Sequence, residues 1–351
     1  MSRERATAFA PGRVNLIGEH TDYNDGLALP FAITEGVTVT AVSLDAARVE
    51  AVAADLDEED AFDLGRPGQV AGWRAFVRGA AAELQDAGFA LRGARLEIAG
   101  TVARGAGLSS SAALEVALCL ALLALIDADP PERTALARIC SRVESEWVGA
   151  RTGLLDQLAS LYGERDRALR IDFRSLEVAP VGLDLEGWRL VTLDSGERHS
   201  HAASGYNRRR AECVRACEQL GIASLREATL EDLDRLRPPL AERARHVVTE
   251  NDRVDAAVVA LERGDLAALG RLLDASHASL RDDYEVSTLA VETAVDRLRR
   301  AGAAGARLIG GGFGGHVLGL LPPEAATPPG AHEVQSGPGA RLLDASMADS
   351  I

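Results

Sequence analysis

The sequence predicts an α+β chain of two domains. At 351 residues it exceeds what one hydrophobic core usually organises. Its first half mixes short strand-like segments with helical ones, whereas residues 207–280 carry mostly helical spacing. The hydrophobic content of 47% and mean hydropathy of -0.01 are those of a globular chain rather than a disordered one. The change from mixed to helical patterning falls near residues 165–185, so the expected domains are 1–175 and 176–351.

Each element has a local reason. Residues 38–42 and 48–54 alternate apolar and polar and read as strands joined by a short turn at Asp45. The run DLDEEDAFD, residues 55–63, reads as a charged loop. Trp73, Val77, Ala80 and Leu84 share one helical face, and residues 94–98 read as a strand. A glycine-rich turn then enters an apolar helix near Ser110, too apolar to lie on a surface and so central to the first domain. Pro130 and Pro131 interrupt the chain before a helix over residues 132–147. A break at 149–153 precedes the helical LLDQLASLYG, and residues 168–173 and 188–194 are strand-like. Near the end, GGGFGG (310–315) sits between the strand-like GARLI and HVLGL, ahead of a tail rich in proline and glycine.

Charge and composition exclude several classes. The formal charge of -15 and pI near 5.0 would repel a phosphate backbone, so no nucleic-acid partner is expected. All 38 basic residues are arginine. Without lysine there is no Walker A motif, no Schiff base and no protein-kinase strand lysine. Cys119, Cys140, Cys213 and Cys217 form no CxxC or metal-ligand array and are expected to be reduced. The N-terminus lacks an apolar signal core, and the longest apolar run, residues 116–126, is too short to span a bilayer. The expectation is a cytoplasmic monomer with no membrane partner.

Three constellations carry possible chemistry. In APGRVNLIGEHTDYNDG, residues 10–26, the segment Gly18 to Gly26 has only Tyr23 as an apolar side chain but holds Glu19, His20, Thr21 and Asp22. Such a concentration of hydrogen-bonding groups fits either a solvated turn or a ligand site. In GAGLSSSAALE, residues 105–115, glycines let the backbone approach a ligand while the amides of the following helix point at the same spot, which is how anions are bound. The serine at the third position of a GxGxxG-like spacing, with no acid-tipped second strand, argues against a dinucleotide site. In RTGLLDQLAS, Asp156 follows the Gly153 break. Glu144 lies twelve residues earlier, and the intervening glycines permit both carboxylates to converge. His199 and His201 lack a convincing third ligand and read as structural.

Together these pieces resemble a known family. APGRVNLIGEHTDYNDG looks like the galactokinase signature, VARGAGLSSSAALE like the ATP loop of the GHMP small-molecule kinases, and GARLIGGGFGGHVLGL like that superfamily's third motif. TGLLDQLAS, HSHAASGYNRRRAEC, RARHVVTENDRV and SHASLRDDYEVS resemble further galactokinase segments. They cover about residues 9 to 320 in the expected order.

The resemblance implies the two-domain GHMP kinase fold, with a ribosomal protein S5 domain 2-like N-terminal domain and a ferredoxin-like C-terminal domain. It implies galactokinase activity with ATP as co-substrate and Mg²⁺ as cofactor. By position, Asp156 and Arg13 would be catalytic, with Arg13 lowering the Asp156 pKa. Glu19, His20, Thr21, Asp22, Gly153 and Tyr206 would bind the sugar. Gly105, Ala106, Gly107, Leu108, Ser109, Ser110 and Ser111 would wrap the ATP phosphates, and Ser111 and Glu144 would hold the metal. Rival readings are a GHMP kinase for a related sugar such as arabinose or galactosamine, one for a non-sugar acceptor, a non-catalytic sugar and ATP sensor, and, last, a dehydrogenase. Three departures from the family pattern are visible: a short segment before the first motif, prolines and glycines in place of a helix after HVLGL, and TLAVE after Ser287.

Overall fold

The computed structural model describes residues 3–102, 107–150, 152–197 and 202–344. The chain opens with β1 (Arg5–Asn15), a short β2 (Leu27–Ala28), a long β3 (Pro30–Ser43), β4 (Arg48–Ala53) and β5 (Glu58–Asp63). There follow α1 (Trp73–Asp86), β6 (Ala94–Gly100), α2 (Ser110–Leu125), α3 (Arg133–Arg142) and α4 (Leu155–Tyr162). A hairpin of β7 (Arg167–Asp172) and β8 (Glu177–Gly182) leads to β9 (Arg189–Asp194). The helices α5 (Ala202–Leu220), α6 (Leu240–Glu262), α7 (Leu266–Asp282) and α8 (Leu289–Arg300) come next. The last strands are β10 (Gly305–Leu308), β11 (His316–Leu321), β12 (Ala331–Glu333) and β13 (Arg341–Leu343).

The first sheet has the order β13-β1-β3-β6-β4-β5. Helix α2 packs on β1 and β3 and is buried without interruption from Ala112 to Leu125, as a helix apolar on every side requires. A second sheet, β10-β11-β9-β12, is antiparallel throughout and carries α7 and α8 against β10. A small third sheet joins β2 to the β7–β8 hairpin. One buried cluster centres on α2 and the first sheet, and another lies between β9, β11 and the helices α5, α6 and α8. The four cysteines are buried free thiols. Among the described residues, no helix is long and apolar enough to cross a membrane.

Three expectations change, and the tail keeps a strand. The charged run 55–63 is not a loop: β5 pairs with β4 over Glu58 to Asp63, burying Phe62, with Glu59 and Asp63 on the exposed side of an edge strand and Asp60, on the Phe62 side, paired with Arg78 at 2.6 Å. The strands on either side of Asp45 do not form a hairpin, because β6 inserts between β3 and β4 and runs parallel to β4. The helix expected over 132–147 stops at Arg142 and continues as a π-helical turn, Val143–Val148, that ends on the left-handed Gly149. A terminal strand is present within the proline- and glycine-rich tail, where β13 returns to pair with β1.

Strand β1 prepares the site. Proline has no N–H to give a ladder, and the β1–β3 register shifts between Pro11 and Arg13. Such an irregularity re-aims the next side chains, although Arg13 still pairs with Ala32 of β3. Gly12 sits at the bulge because a Cβ there would lie 2.5 Å from the Leu108 carbonyl oxygen. That contact brings β1 against the loop before α2, and the Arg13 N–H donates to the Leu108 carbonyl at 3.1 Å.

Candidate active site

The polar run after β1 folds as a tight turn held from three directions. Thr21 is fully buried, and its hydroxyl donates to the carbonyls of Gly18 at 2.9 Å and Leu27 at 2.7 Å. Thr21 was expected among the sugar-facing residues; its side chain instead closes the turn, because both of those carbonyls lie inside it. Helix α6 supplies the second anchor. The Gly18 N–H donates to Glu250 Oε1 at 3.0 Å, the Leu27 N–H donates to Asn251 Oδ1 at 2.8 Å, and His246 Nε2 lies 3.0 Å from the Glu19 carbonyl. The third anchor is Arg307 on β10, fully buried, whose guanidinium donates to the carbonyls of Asn15 at 3.1 Å and Leu16 at 2.9 Å.

With the turn fixed, Arg13, Glu19, His20, Asp22, Gly153, Asp156 and Tyr206 line one cavity of about 160 Å³. That volume is room for on the order of ten waters. Gly153 permits the closest approach in it, since a Cβ there would lie 1.9 Å from Asp22 Oδ2. Burial raises the Glu19 pKa, partly opposed by Arg307 and Arg13, and Glu19 Oε1 accepts the Gly310 N–H at 2.8 Å. Burial, reinforced by His246, lowers His20 to about 3, so its imidazole is neutral. Burial and the nearby Asp156 push Asp22 up to about 7. The Tyr206 phenol is raised well above its ordinary value by burial, then by Asp22. The cavity therefore offers carboxylates, a neutral imidazole and a phenol, a set suited to a neutral, hydroxyl-rich ligand.

Arg13 and Asp156 form one wall of this cavity. Arg13 Nε donates to Asp156 Oδ1 at 2.9 Å, and its Nη2 lies 2.7 Å from the same oxygen. Arg13 Nη1 donates to the Gly107 carbonyl at 2.5 Å. Asp156 Oδ2 accepts the Ser109 hydroxyl. Ser109 stands at the N-cap of α2 but does not cap it, because its hydroxyl is committed to Asp156. The first-turn amides of α2 are thus left without a side-chain cap, the arrangement that receives an anion.

On the far side of that helix start, Ser111 Oγ donates to Glu144 Oε1 at 3.0 Å. Glu144 Oε2 also accepts from Thr152 Oγ1 and, at 3.2 Å, from Gln157 Nε2. Glu144 and Asp156 thus do converge on one helix terminus, and burial followed by the Asp156 charge raises the Glu144 pKa. A hydroxyl and a carboxylate are the hard oxygen donors that Mg²⁺ takes from protein when phosphates complete its shell, so the pair fits that ion. Among the described residues there is no cluster of three His, Cys, Asp or Glu able to hold a metal alone. Ser110 and Ser111 also close one end of a separate cavity of about 330 Å³, walled by Trp73, Phe76, Val102 and Leu114. Gly310 packs beside Gly107, where a Cβ would lie 3.7 Å from the Gly107 Cα. Gly105, Ala106, His199 and His201 lie outside the described residues.

Glu250, Asn251, His246 and Arg307 were not singled out from the sequence. Their only signal was the family-like segment RARHVVTENDRV and the strand-like GARLI, neither of which says what the side chains hold.

An anion-receiving helix start sharing an Arg–Asp wall with a small polar cavity, on this pair of sheets, defines a small-molecule kinase of the GHMP type. Models described as "Galactokinase galactose-binding signature", "GHMP kinases N terminal domain" and "GHMP kinases C terminal" match residues 1–43, 75–164 and 257–335. The galactokinase of Mycobacterium bovis is 44% identical over 324 residues, covering 90% of this chain and 89% of the relative. That of Thermotoga petrophila is 41% identical over 310 residues, covering 88% and 87%. The crystal structure of Lactococcus lactis galactokinase complexed with galactose superposes with a TM-score of 0.90 at 33% identity, covering 97% of this chain and 96% of that one. Methanococcus jannaschii mevalonate kinase shares the fold, with a TM-score of 0.68 at 15% identity over 96% of this chain and 99% of that one. The chain belongs to the galactokinase family.

Proposed function

We propose that this chain transfers the terminal phosphoryl group of ATP to the anomeric hydroxyl of galactose, giving galactose 1-phosphate. The observation that carries this reading is the Arg13–Asp156 pair, which lies between the polar cavity and the start of α2. A sugar hydroxyl in the cavity and a phosphate on the helix terminus would meet at that pair.

In this reading Glu19, His20 and Asp22, with the Gly153 backbone and the Tyr206 hydroxyl, hold the sugar hydroxyls. Buried donors and acceptors discriminate epimers well, because a misplaced hydroxyl leaves one of them unpaired. Asp156 accepts the hydrogen bond of the attacking hydroxyl and orients its oxygen. As that oxygen bonds to the terminal phosphorus, the bond from phosphorus to the bridging oxygen breaks, ADP leaves, and the hydroxyl proton passes to Asp156. Arg13 stabilises the charge that gathers on the transferred group. Little covalent help is needed in phosphoryl transfer, where positioning and neutralisation of three oxygens supply most of the acceleration. Residues 107–111 enclose the ATP phosphates, and the apolar cavity beside Trp73 and Phe76 receives the base. Ser111 and Glu144 would hold Mg²⁺, which when bound neutralises phosphate oxygens. The halves 1–175 and 176–351 act as the two domains of a cytoplasmic monomer, with the sugar between them.

An acceptor panel of galactose, arabinose, galactosamine and glucose with ATP and Mg²⁺ tests the proposal. The highest kcat/KM is expected for galactose, with galactose 1-phosphate as product. ATP turnover with none of these acceptors contradicts it, and sugar binding without product favours the sensor reading.

A further inference from the structure

Two positions far apart in sequence break their local rules at one shared contact. Phe313 is the single residue with a side chain in GGGFGG, and its backbone has a φ of +61° in a loop where Gly310, Gly312, Gly314 and Gly315 are left-handed too. A side chain is strained in that conformation and glycine is not, so the loop carries a cost that a glycine here would remove. Gly205 departs in the opposite direction. It lies within α5, where alanine is intrinsically the better residue. A Cβ on Gly205 would lie 2.7 Å from both Cε2 and Cζ of the Phe313 ring. The ring thus occupies the space that Gly205 leaves open. Two local violations that meet at one contact mark a place where something other than local preference decides.

The ring is held from its other sides. The Phe313 N–H donates to the Val286 carbonyl at 2.7 Å, and the Arg209 guanidinium lies 5.9 Å from the ring centroid. Arg209 is itself fixed, donating to the Tyr284 carbonyl, to the Glu285 carbonyl at 3.1 Å and to Glu212 Oε2 at 3.1 Å. Beside Gly205 stands Tyr206, which lines the sugar cavity together with Gly310 and Gly311. Its ring centroid is 5.2 Å from that of His20 and 5.4 Å from that of Tyr23. On the loop side, a Cβ on Gly311 would lie 3.0 Å from Tyr206 Cδ2. These are packing contacts, so the place of the phenol follows the place of the first turns of α5. The glycine loop therefore meets this turn twice, at Tyr206 through Gly311 and at Gly205 through the Phe313 ring.

We propose that Phe313 is a positioning residue whose ring wedges against Gly205 and sets Tyr206 where its hydroxyl reaches the sugar. The wedge deepens the galactose reading and rests on it for the ligand. The packing itself belongs to the free protein.

Phe313→Ala tests it. Loss of the ring should raise KM for galactose about tenfold, the effect of one lost hydrogen bond, with KM for ATP within about twofold and kcat within about threefold. Gly310 of the same loop packs beside Gly107, so a loop that merely loosened would raise KM for ATP as well. In a Tyr206→Phe background the same substitution should raise KM for galactose by less than about twofold, because the hydroxyl it displaces is already gone. A full additive loss in that background overturns the proposal, as does an unchanged KM in Phe313→Ala or an equal rise for both substrates. Should Phe313→Ala fail to fold, Gly205→Ala disturbs the contact from the other side. Alanine favours the helix, so a rise of about tenfold in KM for galactose reports collision with the ring, and a value within about twofold of wild type overturns the proposal. A crystal structure of ligand-free Phe313→Ala should show the Tyr206 hydroxyl displaced by about 1 Å, enough to spoil a hydrogen bond, and an unmoved hydroxyl overturns the wedge. Absence of galactose turnover in the wild type would overturn the sugar reading and leave the place of that hydroxyl to decide the wedge.

Discussion

At the scale of single residues, the site is a set of groups whose environments have pulled them away from their ordinary behaviour. Asp22 is the clearest case: burial and the charge of Asp156 raise it to about 7. Below that pH its carboxyl is protonated; above it, both oxygens accept from hydroxyls. KM for galactose is therefore expected to fall about tenfold as pH rises through 7, as a carboxylate replaces a carboxyl facing the sugar. Asp22→Asn should flatten that dependence, and a KM profile with the same inflection in the variant would refute the assignment. Composition alone left this run as either a solvated turn or a ligand site, and the groups became legible only through the family-like motifs around it. What was not legible was direction. Thr21 shares the run with Glu19, His20 and Asp22, but its hydroxyl faces two carbonyls of its own turn. Only the fold distinguishes a residue that reads a ligand from one that closes the turn carrying the readers.

At the scale of elements, the site depends on helices and strands far away in sequence. Helix α6 grips the turn through Glu250, which also accepts from Ser276 at 2.6 Å and Arg253 at 2.6 Å. Burial alone would raise Glu250, but Arg253, His246 and Arg307 outweigh it and leave the carboxylate at about 2. A depressed carboxylate stabilises the fold fully above its unfolded value near 4.5 and loses that contribution as pH falls through 2. The difference in unfolding free energy between wild type and Glu250→Gln should shrink by about 3 kcal/mol between pH 6 and pH 2. Urea titrations at several pH values measure it, and a constant difference would show that Glu250 is not anchored as a charge. Nothing in VVTENDRVDAAVV marks these residues, since polar groups at such spacing also describe an ordinary solvated face. The reverse error befell β5, where the charges of DLDEEDAFD hid a strand whose one inward aromatic, Phe62, is enough to seat it on the sheet edge. Helix α2 was readable because its apolar run admits only one environment.

At the scale of the molecule, the two sheets and their cores were foreshadowed by length and by the change in patterning, and the resemblance supplied the topology that periodicity lacks. Contacts across the chain complete the picture. Arg307 of β10 holds the carbonyls after β1 and stands 3.4 Å from Glu19, so the second sheet supports the first motif directly. The closing strand β13 pairs with β1 and covers its outer edge, a pairing that the proline-rich tail conceals in sequence. These links converge on the wall formed by Arg13 and Asp156, and the central claim is that phosphoryl transfer to galactose happens there. The direct test is the rate of galactose 1-phosphate formation by wild type and Asp156→Asn, each first shown to be folded. Loss of an orienting carboxylate at the reacting hydroxyl should lower kcat by at least about a hundredfold. Folding and galactose binding should be retained. Near-normal turnover by Asp156→Asn would contradict the account.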